Sequence, residues 1–188
     1  GAGANGSNFN DGVSLLGITL GNSQTTNITL EGLAGPFGAS TRAINLQENV
    51  LIGNQSSAAT IQLLGNSFAY NNSVVATQGA ISILSTSTSF STAFSNTSLS
   101  LTGSPSSITI GRLNNTADIT ISNSLTAAGP ITIIGGVLTV GGVITSSNTG
   151  DVLFKSNLTN TSTASSLYSN AQILKTGGQR SKVVMQSL

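Results

Sequence analysis

Five carboxylates, Asp11, Glu31, Glu48, Asp118 and Asp151, are all that this chain offers for proton transfer or for holding a hard cation. Glycoside cleavage and calcium-assisted chemistry need acids brought together, so that one can stay protonated or several can share a cation. Only Asp118 and Asp151 make a plausible pair. Each stands directly before a strand-like segment, where a solvated turn carboxylate is the ordinary outcome. Histidine and cysteine are both absent, which removes the commonest general base, the thiolate nucleophile, disulfides and the usual transition-metal ligands. Without histidine the usual serine triad cannot be assembled, and no G-x-S-x-G elbow occurs. The doublets Gly135-Gly136, Gly141-Gly142 and Gly177-Gly178 lack the lysine and the following helix that phosphate cradles use, so they read as turns. Calcium loops of the G-G-x-G-x-D type and EF-hand patterns are missing as well. The expectation is a protein that is not an enzyme and that uses no cofactor or metal.

Recognition chemistry is sparse too. A net charge of +1 is too small to steer the chain to nucleic acid or anionic lipid. The aromatics Phe9, Phe37, Phe68, Tyr70, Phe90, Phe94, Phe154 and Tyr168 do not alternate with basic residues as a base-stacking platform would. Phe90 and Phe94 are expected to cover the core instead. After Asp151 every charge is positive (Lys155, Lys175, Arg180, Lys182), spread thinly enough to read as solvated positions. Sequons at Asn5, Asn27, Asn54, Asn71, Asn96, Asn114, Asn157 and Asn160 permit glycosylation without indicating it.

The remaining chemical signal is threonine. Thr19, Thr29, Thr109, Thr120, Thr132 and Thr139 each sit between aliphatics, which a strand's two-residue period sends to the opposite face. Such residues predict an outward stacking ladder, since threonine is β-branched and bonds to a neighbouring threonine across strands. Ice binding is the sharper alternative. It calls for two threonines per strand as T-x-T, and most strands here supply one.

The elements that would position these side chains are short and repeated. S-I-T-I, D-I-T-I, P-I-T-I, V-L-T-V and G-V-I-T follow one another between Ser107 and Thr145, separated by Asn, Ser, Gly and Pro. Earlier come V-S-L-L-G-I-T-L, N-I-T-L, A-I-N-L, V-L-I, A-T-I-Q-L-L, S-V-V-A and A-I-S-I-L. Gly32 to Thr41 reads as a loop, and the low-complexity run Ser85 to Thr102 as either a longer strand or an outward loop. Ile81, Leu99, Ile119 and Leu138 recur at steps near twenty residues, as do Ile131, Val152 and Ile173. A period of about twenty with two or three short strands per turn predicts an all-β fold, a parallel β-helix or β-solenoid. The alternative is an antiparallel β-sandwich, which does not usually repeat its own sequence.

The 188 residues suit one solenoid domain, 1–188. Charged residues make up 6%, against about 25% in ordinary soluble domains, so neutral Ser, Thr, Asn and Gly must carry solvation. No apolar run reaches the roughly 18 residues of a membrane span. The opening lacks a methionine, and K-V-V-M-Q-S-L closes inside a strand pattern, so a processed product or a piece of a longer repeat protein is expected. Composition points weakly outside a bacterial cell.

Ala117 to Thr159 (A-D-I-T-I-S-N-S-L-T-A-A-G-P-I-T-I-I-G-G and onward) resembles the filamentous-haemagglutinin-like repeats of very large bacterial surface and secreted proteins. Asn170 to Gly178 is similar to the opening of another such repeat, so the resemblance lies mainly within residues 117–178. It implies a right-handed parallel β-helix, extracellular or cell-surface display, and roles in adhesion, biofilm, sheath or fibre formation. The expectation is a non-enzymatic structural or adhesive segment whose partners are other copies or neighbouring repeats and host or surface glycans; the alternatives are a self-assembling sheath, fibre or surface-layer subunit and a glycan-binding module. Neither nucleic acid nor membrane insertion is expected.

Overall fold

Where every second side chain is aliphatic, a strand can bury one face and solvate the other, and the short Ile/Val/Leu bursts of this chain become strands. The structure, a computed structural model, describes residues 11–35, 41–147 and 150–157 and the strands Leu167–Ser169, Ile173–Lys175 and Val183–Ser187. The described residues contain no helix.

The strands fall into seven successive tiers of three. The first holds β1 (Val13–Leu16), β2 (Thr19–Leu20) and β3 (Asn27–Glu31); the second β4 (Ile44–Gln47), β5 (Leu51–Gly53) and β6 (Thr60–Leu64). The third holds β7 (Phe68–Tyr70), β8 (Ser73–Ala76) and β9 (Ala80–Leu84); the fourth β10 (Phe94–Ser95), β11 (Leu99–Thr102) and β12 (Ser107–Ile110). Then come β13 (Ile119–Ile121), β14 (Leu125–Ala127) and β15 (Ile131–Gly135), followed by β16 (Leu138–Val140), β17 (Ile144–Ser146) and β18 (Val152–Ser156). The last tier is β19 (Leu167–Ser169), β20 (Ile173–Lys175) and β21 (Val183–Ser187).

Each strand pairs with its equivalent in the next tier, and every pairing among the described residues is parallel. That excludes the antiparallel sandwich and is consistent with a parallel β-helix. The third strands form one unbroken seven-stranded sheet, β3-β6-β9-β12-β15-β18-β21. The first strands form two sheets, β1-β4-β7 and β10-β13-β16-β19, and the second strands also two, β2-β5-β8-β11 and β14-β17-β20. The breaks fall at different levels, one between the third and fourth tiers and one between the fourth and fifth.

A constant twenty-residue spacing does not hold. Register equivalents in the long sheet are Ile28, Ile61, Ile81, Ile108, Ile131, Val152 and Val183, so the steps are 33, 20, 27, 23, 21 and 31 residues. Of the first expected series only Ile119 and Leu138 are true partners; Ile81 lies in β9 and Leu99 in β11. Of the second, Ile131 pairs with Val152, but Ile173 pairs with Ile144 in another sheet. All sheets carry the same inward aliphatics, so the pattern alone misassigns one sheet's strand to another's.

Most of the variation has a place, although the link from second to third strand also varies, as between residues 77–79 and residues 21–26. The link from first to second strand takes two or three residues in every tier, whereas the link from third strand to the next tier varies from residues 136–137 to residues 32–43. Residues 36–40 of that last link, and with them part of the loop expected over Gly32 to Thr41, lie outside the described residues.

The core lies between the sheets. Ile61, Ile81, Ile108, Ile131 and Val152 make one buried stack in the long sheet, and Leu63, Ile83, Ile110, Ile133 and Phe154 the next. Each such side chain withdrawn from water contributes about 1.5–3 kcal/mol. Where the first column is interrupted, aromatic rings fill in. Phe90 and Phe94 are buried and stacked with centroids 5.8 Å apart, and Phe68 meets both edge-on at 5.6 and 6.0 Å. Tyr70 completes the group, 5.9 Å from Phe68 and 6.2 Å from Phe94. The low-complexity run thus resolves into a loop, residues 85–93, followed by β10 and β11.

Candidate binding groove

The six threonines are placed on three different columns. Thr19 is in β2, Thr120 and Thr139 in β13 and β16, and Thr29, Thr109 and Thr132 in strands of the long sheet. Thr109 pairs with Thr132 and Thr120 with Thr139, while Thr29 is opposite Gln62 and Thr19 opposite Leu51. Thr126 and Thr145 add a third threonine pair. The structure therefore holds several two-residue ladders in place of one continuous column. Thr19, Thr29 and Thr139 are exposed; Thr109, Thr120 and Thr132 are half-buried.

Asp118 and Asp151 stand at the entrances of strands in two different sheets. Asp118 Oδ1 accepts a hydrogen bond from the Val137 amide (2.8 Å), which fixes a turn. Asp11 is likewise used locally, accepting from the Arg42 amide (2.7 Å) and from Asn45 Nδ2 (2.6 Å).

The structure does form a concave site that the residue pattern did not announce. A groove of about 720 Å³ lies over the outer face of the long sheet at β9, β12 and β15. Its floor is made by Leu84, Thr109 and Ile134, and its walls by residues 86–88 and 111–114 of two inserted loops. These loops belong to the corner whose length varies.

Local hydrogen bonds hold both walls. Asn66 Oδ1 accepts from the Thr86 amide (3.0 Å), the Thr86 hydroxyl (2.9 Å) and the Ser87 amide (3.2 Å). Asn115 is fully buried. Its Nδ2 donates to the Ile134 carbonyl (2.8 Å), and its Oδ1 accepts from the Phe90 amide (3.0 Å) and the Ser89 hydroxyl (2.8 Å). One side chain thereby ties the two loops to the sheet below. Buried amides gain most from such full pairing, because an unpaired polar group in the interior is costly. Asn157 Nδ2 adds bonds to the carbonyls of Leu113 (2.7 Å) and Asn115 (3.0 Å). Gly111 makes the entry to the second wall: its φ is +85°, and a Cβ there would stand 2.0 Å from the Ile134 carbonyl oxygen.

Arg112 is the chemical feature of this groove. It is exposed, its Nε donates to the Ser85 carbonyl, and no hydrogen bond to its terminal nitrogens is found among the described residues. No acidic residue lines the groove. Lys155 is the register partner of Ile134, so a second cation lies one strand beyond the floor. Leu113, 62% exposed, sets an aliphatic side chain beside the guanidinium. Aromatic side chains are not part of the lining.

Attention to histidine, cysteine and paired acids passes over this site. Two signals were available. Between Glu48 and Asp118 the chain carries a single charge, Arg112, and the segments around it, S-T-S-T-S-F-S and G-R-L-N-N-T, interrupt the repeat.

Comparison with protein-family models, with curated proteins and with solved structures found no match. Nothing in those comparisons links the chain to filamentous-haemagglutinin-like repeats.

Proposed function

We propose that this chain is a non-enzymatic structural and adhesive β-solenoid segment of a bacterial extracellular surface protein, wound right-handed as its resemblance to filamentous-haemagglutinin-like repeats implies. The observation that carries this reading is the unbroken seven-stranded parallel sheet backed by stacked isoleucines. Ladder hydrogen bonds running along one axis over a continuous aliphatic core make a stiff rod, and a stiff rod can hold a binding surface away from a cell. The longest and most variable loops, gathered at one corner, suit this division of labour, since insertions in repeat proteins accumulate on the face that meets partners. The test is to display the chain on a non-adherent bacterium. Elongated surface projections by electron microscopy, with increased attachment to host cells or matrix, are expected; projections without any gain in attachment would remove the adhesive half.

A second reading, assembly into a sheath or fibre, draws on the first tier. Leu16 (60% exposed), Ile18 (41%) and Leu33 (67%) are three of the four large exposed apolar side chains among the described residues, and all lie there. Among the described residues the first-tier strands pair on one side only, and a strand paired on one side can take another copy or a neighbouring repeat on the other. Filaments in concentrated purified protein, lost in Leu16→Asp, would favour it.

A further inference from the structure

We infer that the groove around Arg112 binds an acidic saccharide through a carboxylate, a uronate unit in a polysaccharide chain. The inference rests on the adhesive half of the reading above and names the chemistry that the adhesive surface would recognise.

The ionic part of the argument starts from the guanidinium. Its Nε is committed to the Ser85 carbonyl, which fixes the plane of the fork while the two terminal nitrogens keep their hydrogens for a ligand. A planar pair of N–H donors matches the two oxygens of a carboxylate. The nearest formal charge in the long sheet is Lys155, one strand beyond the floor and also positive. Glu31 is on the same sheet but in the first tier, three strands away from β12, roughly 14 Å at a strand spacing of about 4.8 Å. That exceeds the screening length of about 8 Å at physiological ionic strength. Asp118 closes the same loop as Arg112, but its Oδ1 is held by the Val137 amide and it is not part of the lining, so an anion in the groove meets the guanidinium with no acid among the lining residues.

The sugar part comes from the rest of the lining. Thr88 and Asn114 offer a hydroxyl and an amide that both donate and accept, while the Thr86 and Ser87 hydroxyls, whose hydrogens go to Asn66 Oδ1 and the Ser89 carbonyl, keep lone pairs to accept from a polyhydroxylated ring. Leu84, Leu113 and Ile134 offer aliphatic surface for the C–H face of the ring. The volume falls within the range of about 300–1,000 Å³ typical of small-ligand sites. The walls need little reorganisation on binding, because Asn66 and Asn115 already hold them in place.

The experiment titrates the purified chain with a galacturonate trisaccharide and with the same trisaccharide after its carboxyls are reduced to alcohols, followed by amide NMR shifts. Shifts confined to Leu84, residues 86–88, Thr109, residues 111–114 and Ile134 are expected, with affinity lowered about 10- to 100-fold by carboxyl reduction and by Arg112→Ala. Arg112→Lys keeps the charge but not the fork, and a loss of at least about fivefold is expected. Circular dichroism melts of each variant separate lost binding from lost folding, and the lysine variant keeps the test open should the alanine variant unfold. Equal binding of the reduced sugar, or wild-type affinity in both Arg112 variants, would overturn the inference. Equal binding of a sulfated neutral trisaccharide with no loss in Arg112→Lys would also overturn it, since any anion would then suffice. Attachment of displayed chain to cells is measured separately, so failure of the uronate leaves the rod and its adhesion standing.

Discussion

The long sheet and the sheet of first strands are laid on the same seven tiers, yet only the long one runs through them all. In the long sheet every step, even the 27 residues from Ile81 to Ile108, preserves register, because the extra residues leave through the corner and the inward isoleucines still meet. In the first column the same insertion parts β7 from β10. There the rings of Phe68, Tyr70, Phe90 and Phe94 touch sideways and at right angles. Aromatic packing needs area and angle but no shared ladder, so it can bridge a joint that backbone hydrogen bonds do not. Repetition is thus enforced where one face of a strand must stack on its own kind, and relaxed where large side chains substitute for it. The groove lies beside the relaxed joint.

The joint is weakest at its rings. Phe94→Ala should cost about 3–5 kcal/mol and split chemical denaturation into two transitions, one for the tiers on each side of the joint. Ile110→Ala in the long sheet should cost about 2–5 kcal/mol and leave one transition, so a single transition in both would mean that the rings are not what joins the two halves.

Asn115→Ala comes next. It strips partners from the Phe90 amide and the Ile134 carbonyl, and about 1–3 kcal/mol is expected for a buried group left unpaired. Hydrogen exchange at the Phe90 amide should accelerate while that at Ile81 and Ile131 does not; uniform acceleration would place Asn115 in the rod and not in the loop attachment.

Tyr70 gives a smaller effect with a definite sign. Its ring is half-buried, but its hydroxyl is buried without a hydrogen-bond partner, and burial pushes the phenol's pKa well above its ordinary value. The folded chain then holds this proton at a pH where the unfolded chain has lost it. Its contribution is complete below the unfolded pKa of about 10 and declines as pH rises through it. Tyr70→Phe should therefore melt like the wild type or slightly higher near neutral pH, and lose less stability above about pH 10; parallel alkaline profiles would show that the phenol does not titrate with unfolding.

The threonine ladders should give least. Thr132→Val keeps the branch and removes the hydroxyl opposite Thr109, for a change below about 1 kcal/mol. A larger loss would make the outward face a determinant of register.

The parallel, all-β stacking was legible in the sequence because aliphatic alternation and turn residues act over a few neighbouring positions. A-I-S-I-L and S-I-T-I, and the L-T-V of V-L-T-V, became strands with the expected inward side chains. Phe90 and Phe94 were legible as core covers for the same reason: large rings in a polar run have one low-energy destination. Register was harder. Leu99 and Ile81 are chemically interchangeable, and only closure of the tiers decides that Leu99 belongs opposite Ser73 in the second column. The groove was least legible, since its walls meet through Asn66, Asn115 and Ile134, contacts made across neighbouring tiers. The basic run's Lys175, Arg180 and Lys182 and the doublet Gly177-Gly178 bear on residues whose side chains lie outside the described part of the chain.

The two breaks are offset by one tier. Between the third and fourth tiers the first column lacks its ladder while β8-β11 and β9-β12 hold; between the fourth and fifth the second column lacks its ladder while β10-β13 and β12-β15 hold. Masonry lays its joints this way, so that a crack entering at one seam meets an intact course at the next. Under tension along the axis no level is left to a single sheet, and a tear begun at the aromatic joint must cross intact backbone ladders before it can part the chain.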